Sequence, residues 1–504
     1  MKRRDFLKTS MVAGMGLLGG VNLSTATAGD ANGKRPNILL MVTDDLGYSD
    51  VSCFRDKGKW KPRIAPPGNV KGIDTPHLDA LAKQGMMLTD FHSNCSVCSP
   101  TRASILTGRY NHRTGVSNVL GQLGKAMRQV QKPGEEPFLG LSLDELTIAE
   151  VLKAGGYRTG MFGKWHLGPM STHHPMDQGF EVFVGTGGNA GDNFAMKQGP
   201  GHTGKSYFFR GRETVDAPGH WHTDVLADET IKFMTQPNMK PFFAYVPFTA
   251  PHVPYVGPND EKLANSFEGN EAYGMGPRKD FHKAHKEIVE GLDAAIGRIM
   301  DALKKQGLLE NTLVLFTSDN GPIQYGSAYP YRGGKAGIYE GGTRVPTIAC
   351  WPGMIPAGSR SKQLGMTMDL LPTLAAIGRC KLPAGRKLDG INLADVLTQQ
   401  KTKERGMVFW EKPVQVWMKK FHLRQWAVRD GKWSAVQERN NAPMRLYNLE
   451  TDPGQKRDLA KKHPNQLARM KAAFGVWKKD VYNDSPWKLD EYMERFEKAG
   501  ILEK

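Results

Sequence analysis

Asn37-Ile38-Leu39-Leu40-Met41-Val42-Thr43-Asp44-Asp45 is an apolar run of strand length that ends in two carboxylates. A strand buried on both faces reads as continuous apolar sequence, so this run predicts a central strand of a parallel sheet. Thr312-Leu313-Val314-Leu315-Phe316-Thr317-Ser318-Asp319-Asn320-Gly321 repeats the layout: apolar strand, Asp-Asn, glycine. Ligands of doubly wound sheets gather beyond the carboxyl ends of their strands. Two such ends would offer Asp44, Asp45, Asp319 and Asn320 as oxygen donors, a set that favours Ca2+ or Mg2+ over zinc. Successive strand side chains point to opposite faces, so Asp44 and Asp45 can share an ion only if the strand stops and the backbone turns. Gly47 permits such a turn. Either pair alone would be unremarkable, because strand ends often carry a carboxylate as a helix cap.

Working outward, Tyr157–Phe162, Phe242–Pro247 and Val345–Trp351 read as further strands. His282–Lys304 places Ile288, Leu292, Ile296, Ile299 and Leu303 at helical spacing, and Asp144–Lys153 and Met368–Ile377 read similarly. This alternation predicts an α/β sandwich around a mostly parallel central sheet. After residue 400 the pattern changes. Gly406–Trp410, Gln425–Arg429, Lys432–Gln437 and Arg445–Leu449 look like short strands, with Asp430-Gly431 as a hairpin turn. Leu467, Met470, Phe474 and Trp477 then share one helix face. The expected division is a main domain over 29–400 and a C-terminal subdomain over 401–504, a smaller antiparallel sheet covered by a helix. Asp56–Asp74 and Gly185–Gly204 read as loops, the second placed to shape substrate access.

Four blocks carry the chemistry. The longest is Cys98-Ser99-Pro100-Thr101-Arg102-Ala103-Ser104-Ile105-Leu106-Thr107-Gly108-Arg109. The others are Gly163-Lys164-Trp165-His166-Leu167-Gly168, Ala250-Pro251-His252, and Arg332-Gly333-Gly334-Lys335 before Glu340-Gly341-Gly342. Taken singly they have plainer meanings. Cys95-Ser96-Val97-Cys98 has the spacing of a redox pair or half a zinc site, although no second Cys-x-x-Cys exists for a zinc ribbon. His166 and His252, like His112, His173 and His174, would each pass for a hydrogen-bonded structural histidine, with His173-His174-Pro175 able to line a pocket. Lys335 alone would be a solvated loop lysine.

Together the blocks resemble type I sulfatases, whose motif is Cys-x-Pro-x-Arg followed by Leu-Thr-Gly-Arg. The likeness is to the branch holding arylsulfatase A and N-acetylgalactosamine-6-sulfatase, and it runs from about residue 36 to 460. Thr101 stands where many members carry Ser, and Leu446-Tyr447-Asn448-Leu449-Glu450-Thr451-Asp452-Pro453 resembles the family's C-terminal block. The resemblance implies the alkaline-phosphatase-like fold and the hydrolysis of sulfate esters of a carbohydrate or an aryl alcohol. It implies conversion of Cys98 to formylglycine (3-oxoalanine) by a formylglycine-generating or anaerobic sulfatase-maturing enzyme. It also implies one Ca2+ ion, held by Asp44, Asp45, Asp319, Asn320 and the modified Cys98. Arg102 and Lys164 would hold the aldehyde hydrate, Lys335 and His252 the sulfate and the leaving oxygen, and His166 would be the base that releases sulfate. A sulfate monoester is anionic and repels nucleophiles, so cations, a metal and a proton donor are the company it needs. One hydrate hydroxyl attacks sulfur, and deprotonation of the other expels sulfate and restores the aldehyde. A Cys95–Cys98 disulfide would block the conversion, so Cys95 reads as a packing residue.

Met1-Lys2-Arg3-Arg4-Asp5-Phe6-Leu7-Lys8 resembles a twin-arginine export signal, and Ala26-Thr27-Ala28 an Ala-x-Ala cleavage site. The stretch from Met11 to Leu23 is too short to remain as a permanent span. Residues 1–28 therefore read as a signal peptide cleaved near Ala28, taking a folded protein through the twin-arginine translocase to the periplasm with no permanent membrane anchor. Five cysteines at 53, 95, 98, 350 and 380 make no disulfide framework. The net charge of +17 over 504 residues attracts polyanions. No nucleic-acid motif accompanies it, so a sulfated glycan or sulfated small molecule is the expected partner. Two other readings fit the same blocks: a phosphonate or phosphate ester hydrolase sharing the aldehyde nucleophile, and a non-catalytic protein that binds sulfated glycans.

Overall fold

The computed structural model describes residues 34–66, 72–120, 140–188, 208–215, 220–262, 278–417, 420–439 and 442–486, with isolated positions beyond. The expected signal segment 1–28 lies outside them, as do most of the Gly185–Gly204 loop and residues 67–71 of the Asp56–Asp74 loop.

The strands in chain order are β1 (Asn37–Thr43), β2 (Met86–Leu88), β3 (Phe91–His92), β4 (Arg158–Lys164), β5 (Val182–Thr186), β6 (Phe208–Arg210), β7 (Glu213–Thr214) and β8 (Phe242–Pro247). They continue as β9 (Thr312–Ser318), β10 (Thr347–Cys350), β11 (Ser359–Ser361), β12 (Gly365–Met366), β13 (Val408–Trp417), β14 (Lys420–Asp430), β15 (Trp433–Gln437) and β16 (Arg445–Asn448). Ten form one sheet in the order β11-β2-β10-β9-β1-β8-β4-β5-β6-β7. Its centre, β9-β1-β8-β4-β5, is parallel throughout, and β10 and β6 join it antiparallel on either side.

Every residue of β1 is buried, and alternation divides them between two cores. Leu39 and Met41 pack with Leu78, Leu226, Ile288, Leu292 and Ile296 from the helices Pro76–Gln84, His222–Thr235 and Phe281–Lys305. Ile38, Leu40 and Val42 pack on the opposite face with Ile105, Ile148, Leu371 and Val396 from the helices Cys98–Thr107, Ile148–Ala154, Leu370–Ile377 and Ala394–Gln399. Each such buried aliphatic contributes about 1.5–3 kcal/mol. The outcome is the sandwich that the alternation predicts.

One boundary shows how a cap overrides a pattern. The helix expected from Asp144 begins at Ile148, because the Thr147 hydroxyl accepts the Glu150 N–H while Glu150 reaches back to the Thr147 N–H. In the tail, β13-β14-β15-β16 form the expected antiparallel sheet, and Asp430-Gly431 turns from β14 into β15. β13 and β14 run further than their apolar stretches, because each pairs with the other along its length. Met470, Phe474 and Trp477 of the helix Pro464–Asn483 cover this sheet, and its core continues into Tyr110, Ile338, Met366 and Met368 of the main body. Among the described residues no helix is long and apolar enough to cross a membrane.

Candidate active site

β1 and β9 are neighbours in register, so their carboxyl ends deliver both acidic pairs to one place. Asp44, Asp45, Asp319 and Asn320 are all fully buried. The backbone turn that aims Asp44 and Asp45 together is made by Asp45 itself, in the left-handed region at φ +69°, and not by Gly47. Aspartate tolerates that conformation better than most side chains. Gly47 is needed for closeness instead: a Cβ there would lie 2.4 Å from the Ser327 carbonyl oxygen.

The helix Cys98–Thr107 starts at the mouth of this cluster. It is buried all round and ends where Gly108 adopts φ +68°. Thr101 serves the turn before it: its hydroxyl donates to the Cys95 carbonyl (2.9 Å) and accepts the Cys95 N–H (3.2 Å). Ligand atoms of Asp44, Cys98 and Asp319 lie within 4.8 Å of one another, and so do those of Asp44, Asp45 and His252.

Three cations are interleaved with the carboxylates. Arg102 donates from Nε (3.0 Å) and Nη2 (2.7 Å) to one oxygen of Asp319 and from Nη1 to the Lys164 carbonyl. Lys164, at the end of β4, lies 2.5 Å from Asp44 Oδ2. Lys335 lies 2.8 Å from the Asp45 carboxylate, with a side chain 17% exposed. Asn320 Nδ2 donates to Asp45 Oδ1 at 2.7 Å. Two oxygens in this crowd have no hydrogen-bond partner although buried: Asp44 Oδ1 and Asn320 Oδ1. Buried lone pairs left unpaired are costly, and an electron-pair acceptor bound to them removes the cost.

The titration behaviour follows. Burial alone would raise Asp44, but Lys164, His252 and Arg102 pull it well below the usual carboxylate range. Asp319 is pushed up, by burial first and by the charge of Asp44 second. Burial also raises the Cys98 thiol, with Lys164 and Lys335 pulling the other way, so an unmodified Cys98 is held as the thiol. His166 is neutral because burial, Lys164 and Arg102 all disfavour its cation, and its Nδ1 has no partner. His252 is lowered to about 4 by burial and Lys335. Its Nδ1–H donates to the Val253 carbonyl at 2.6 Å, which turns Nε2 toward Asp45, 3.8 Å away.

Every residue that the sequence reading gave to the site is thus part of one cluster. Cys95 is buried with a free thiol, in keeping with a packing role. His173 and His174 make local bonds, His173 Nδ1 with the Thr172 hydroxyl (2.8 Å) and His174 Nδ1 accepting the Met176 N–H (3.1 Å). The reading missed Asp50, whose carboxylate accepts from the Gly47 and Ser327 N–H groups and from Trp60 Nε1, and so ties the loops after β1 and β9 together. It also missed Lys412, which reaches the site from β13. The acidic spacing from Asp45 to Asp50 was a signal for the first; nothing local signals the second.

The sulfatase family profile matches residues 36–378. This chain belongs to the sulfatase family. A second profile, N-sulphoglucosamine sulphohydrolase C-terminal, matches residues 334–474. Human arylsulfatase A is 33% identical over 87% of this chain and 86% of its own length. N-acetylgalactosamine-6-sulfatase of Sus scrofa is 31% identical over 74% of this chain and 68% of its own. Among solved structures, Ps i-CgsB superimposes with a TM-score of 0.74 at 27% identity, covering 93% of this chain and 98% of that one, and it has also been crystallised with k-i-k-neocarrahexaose. The architecture is alkaline-phosphatase-like, and the chain is a sulfuric ester hydrolase.

Proposed function

We propose that this sulfatase works through Cys98 converted to formylglycine and through one Ca2+ ion held by Asp44, Asp45, Asp319, Asn320 and the modified Cys98 side chain. The observation that carries the reading is the pair of unpartnered buried oxygens, Asp44 Oδ1 and Asn320 Oδ1, together with the close grouping of Asp44, Asp319 and Cys98 Sγ. All-oxygen donors and three carboxylates fit a hard divalent cation. When bound, such an ion supplies Lewis acidity and neutralises charge on sulfate oxygen, and the aldehyde hydrate supplies a nucleophilic hydroxyl.

The chain's own groups do the rest. Arg102 and Lys164 fix the carboxylates and present positive charge beside residue 98. Lys335, the more exposed of the two lysines, binds a sulfate oxygen. His252, once a bound anion offsets the effect of Lys335, holds a proton on Nε2 for the leaving oxygen while Nδ1 stays tied to Val253. His166, neutral with an open Nδ1, takes the proton whose removal releases sulfate.

A sulfated carbohydrate is the substrate class we favour. The strong positive charge of the chain and the oligosaccharide bound by the similar Ps i-CgsB both support it. We assign maturation to a formylglycine-generating or anaerobic sulfatase-maturing enzyme. Export is assigned to the twin-arginine translocase with cleavage near Ala28 and a periplasmic destination, and the division at residues 400 and 401 is kept. The test is a peptide mass spectrum across Cys98 after co-expression with a maturation enzyme, together with aryl sulfate hydrolysis. The aldehyde or its hydrate is expected, and Cys98→Ala should lose at least about a thousandfold in kcat/KM with an unchanged Tm. An unmodified thiol in protein that still turns over, or an active Cys98→Ala, would sink the mechanism.

A further inference from the structure

Lys412 is a charged residue in the wrong place for a surface strand. It is 3% exposed, on β13 of the C-terminal sheet. Residues two apart on a strand share a face, and Trp410 and Lys412 both reach into the main body. Trp410 Nε1 donates to the Ser93 carbonyl (2.8 Å), on the segment leading to Cys98. Lys412 Nζ donates to the Ala336 carbonyl (3.2 Å), in the turn that carries Lys335. Ala336 sits at φ +65°, a conformation unfavourable for alanine, and its N–H is tied to the Ser96 carbonyl at 2.7 Å.

Among the described residues no carboxylate answers the charge of Lys412. Every other buried Lys or Arg among the described residues has a carboxylate: Arg102 has Asp319, Arg109 Glu145, Arg113 Asp389, Lys164 Asp44, Arg344 Glu340 and Arg429 Asp90. Among the described residues the ionisable groups facing Lys412 are the Cys95 thiol, which burial holds protonated with its pKa up at about 11, and Lys335, which is itself cationic. Burial and Lys335 press the Lys412 ammonium down to about 8, so it still carries its charge at neutral pH. An unpaired buried ion is expensive to keep. An anion bound by Lys335 would offset it across the Lys335–Ala336 turn.

We infer that Lys412 is a positioning residue for the sulfate half of the site: it pins the Lys335–Ala336 turn and sets a second positive charge behind Lys335 that draws in the sulfate group. The inference rests on the assignment of Lys335 to sulfate. Its effect is electrostatic and acts through low-dielectric protein, so it favours bound anion, ester and free sulfate alike. It therefore belongs to KM and to inhibition by sulfate more than to kcat.

The experiment compares Lys412→Met, Lys412→Arg and Lys335→Met in the full-length matured enzyme. It measures kcat and KM on an aryl sulfate, the Ki of inorganic sulfate, and Tm in sulfate-free buffer. For Lys412→Met we expect KM and sulfate Ki to rise about tenfold together, kcat to stay within about threefold, and Tm to hold or increase because a desolvated charge is gone. Lys412→Arg, which keeps the charge, should restore sulfate Ki to within about threefold of wild type. A folded Lys412→Met with unchanged KM and Ki overturns the inference. So does one that loses Tm and kcat while sulfate Ki stays put, which is the behaviour of a packing residue. If Lys335→Met leaves sulfate Ki unmoved, the Lys335 assignment fails and takes this inference with it. A rise in Lys335→Met without one in Lys412→Met removes only the Lys412 claim.

Discussion

Among the described residues are two clusters of buried or half-buried carboxylates, a histidine and basic side chains, and by composition they look alike. One is Asp44, Asp45, Asp319 and His252 with Arg102, Lys164 and Lys335. The other is Asp90, His92 and Glu340 with Arg344 and Arg429, where β3, the single-turn helix Glu340–Thr343 and β14 meet. In the second every carboxylate oxygen is answered. Asp90 Oδ1 has His92 (2.9 Å) and Arg344 (2.8 Å), Asp90 Oδ2 has Arg429 (3.0 Å), Glu340 Oε2 has Arg344 (2.8 Å), and Glu340 Oε1 has Arg429 (3.2 Å). Arg429, His92 and Arg344 hold Glu340 as the anion against its burial. In the first cluster Asp44 Oδ1 and Asn320 Oδ1 are left open, and Asp319 is pushed toward its neutral form. Both clusters have ligand atoms close enough together for an ion. The unanswered lone pairs separate a place that receives something from a clasp between the main body and the tail.

That contrast can be broken by mutation. Asp319→Asn should cost kcat/KM about a hundredfold to a thousandfold. It should lower Tm less than Glu340→Gln does, because burial and Asp44 already disfavour its charge and so offset part of the lost pairing with Arg102. Glu340→Gln should do the reverse: about 3 kcal/mol of unfolding free energy lost in urea titration, with kcat/KM of the folded enzyme within a few fold. Equal stability losses in the two variants would erase the distinction. A smaller effect sharpens it through pH. His112 and His222 are buried and lowered to about 3, so each stays neutral when folded at pH values where the unfolded chain binds a proton. Unfolded protein then takes up more protons between about pH 6.5 and 3, and stability must fall as pH drops through that window. His112 packs on Trp477 and Tyr482 at the tail. We expect Tm to decline on acidification and to decline less steeply in His112→Gln; a parallel slope would exonerate His112.

The site was legible where its chemistry sits at strand ends. Asp44-Asp45 and Asp319-Asn320 each terminate an apolar run, and parallel neighbours in register must bring such ends together. The turn is less legible, since glycine advertises flexibility while the demand at Gly47 is for space against Ser327 and Asp45 makes the turn. Glu411 and Lys412 were invisible for a different reason. They interrupt an apolar stretch and read as the end of a strand, yet both are buried, and partners 76 residues back (Ala336) or 71 ahead (Tyr482) supply the reason. The Asp90–Glu340–Arg429 clasp is likewise spread over 339 residues. Charge is readable from sequence when a local pattern places it, and unreadable when only tertiary partners make its burial tolerable.

The helix that begins at Cys98 is closed off by chain made much later. Arg102 waits for Asp319, 217 residues on, and Ser93 for Trp410, 317 residues on. At a synthesis rate of about 5–20 residues per second, that interval lasts on the order of tens of seconds. Any enzyme that alters Cys98 has that interval on the ribosome in which to reach an open peptide. Once the tail sheet has emerged and docked, the residue is 1% exposed. Under the proposed conversion of Cys98, elongation speed, and not affinity alone, would set what fraction of the molecules leaves the ribosome matured.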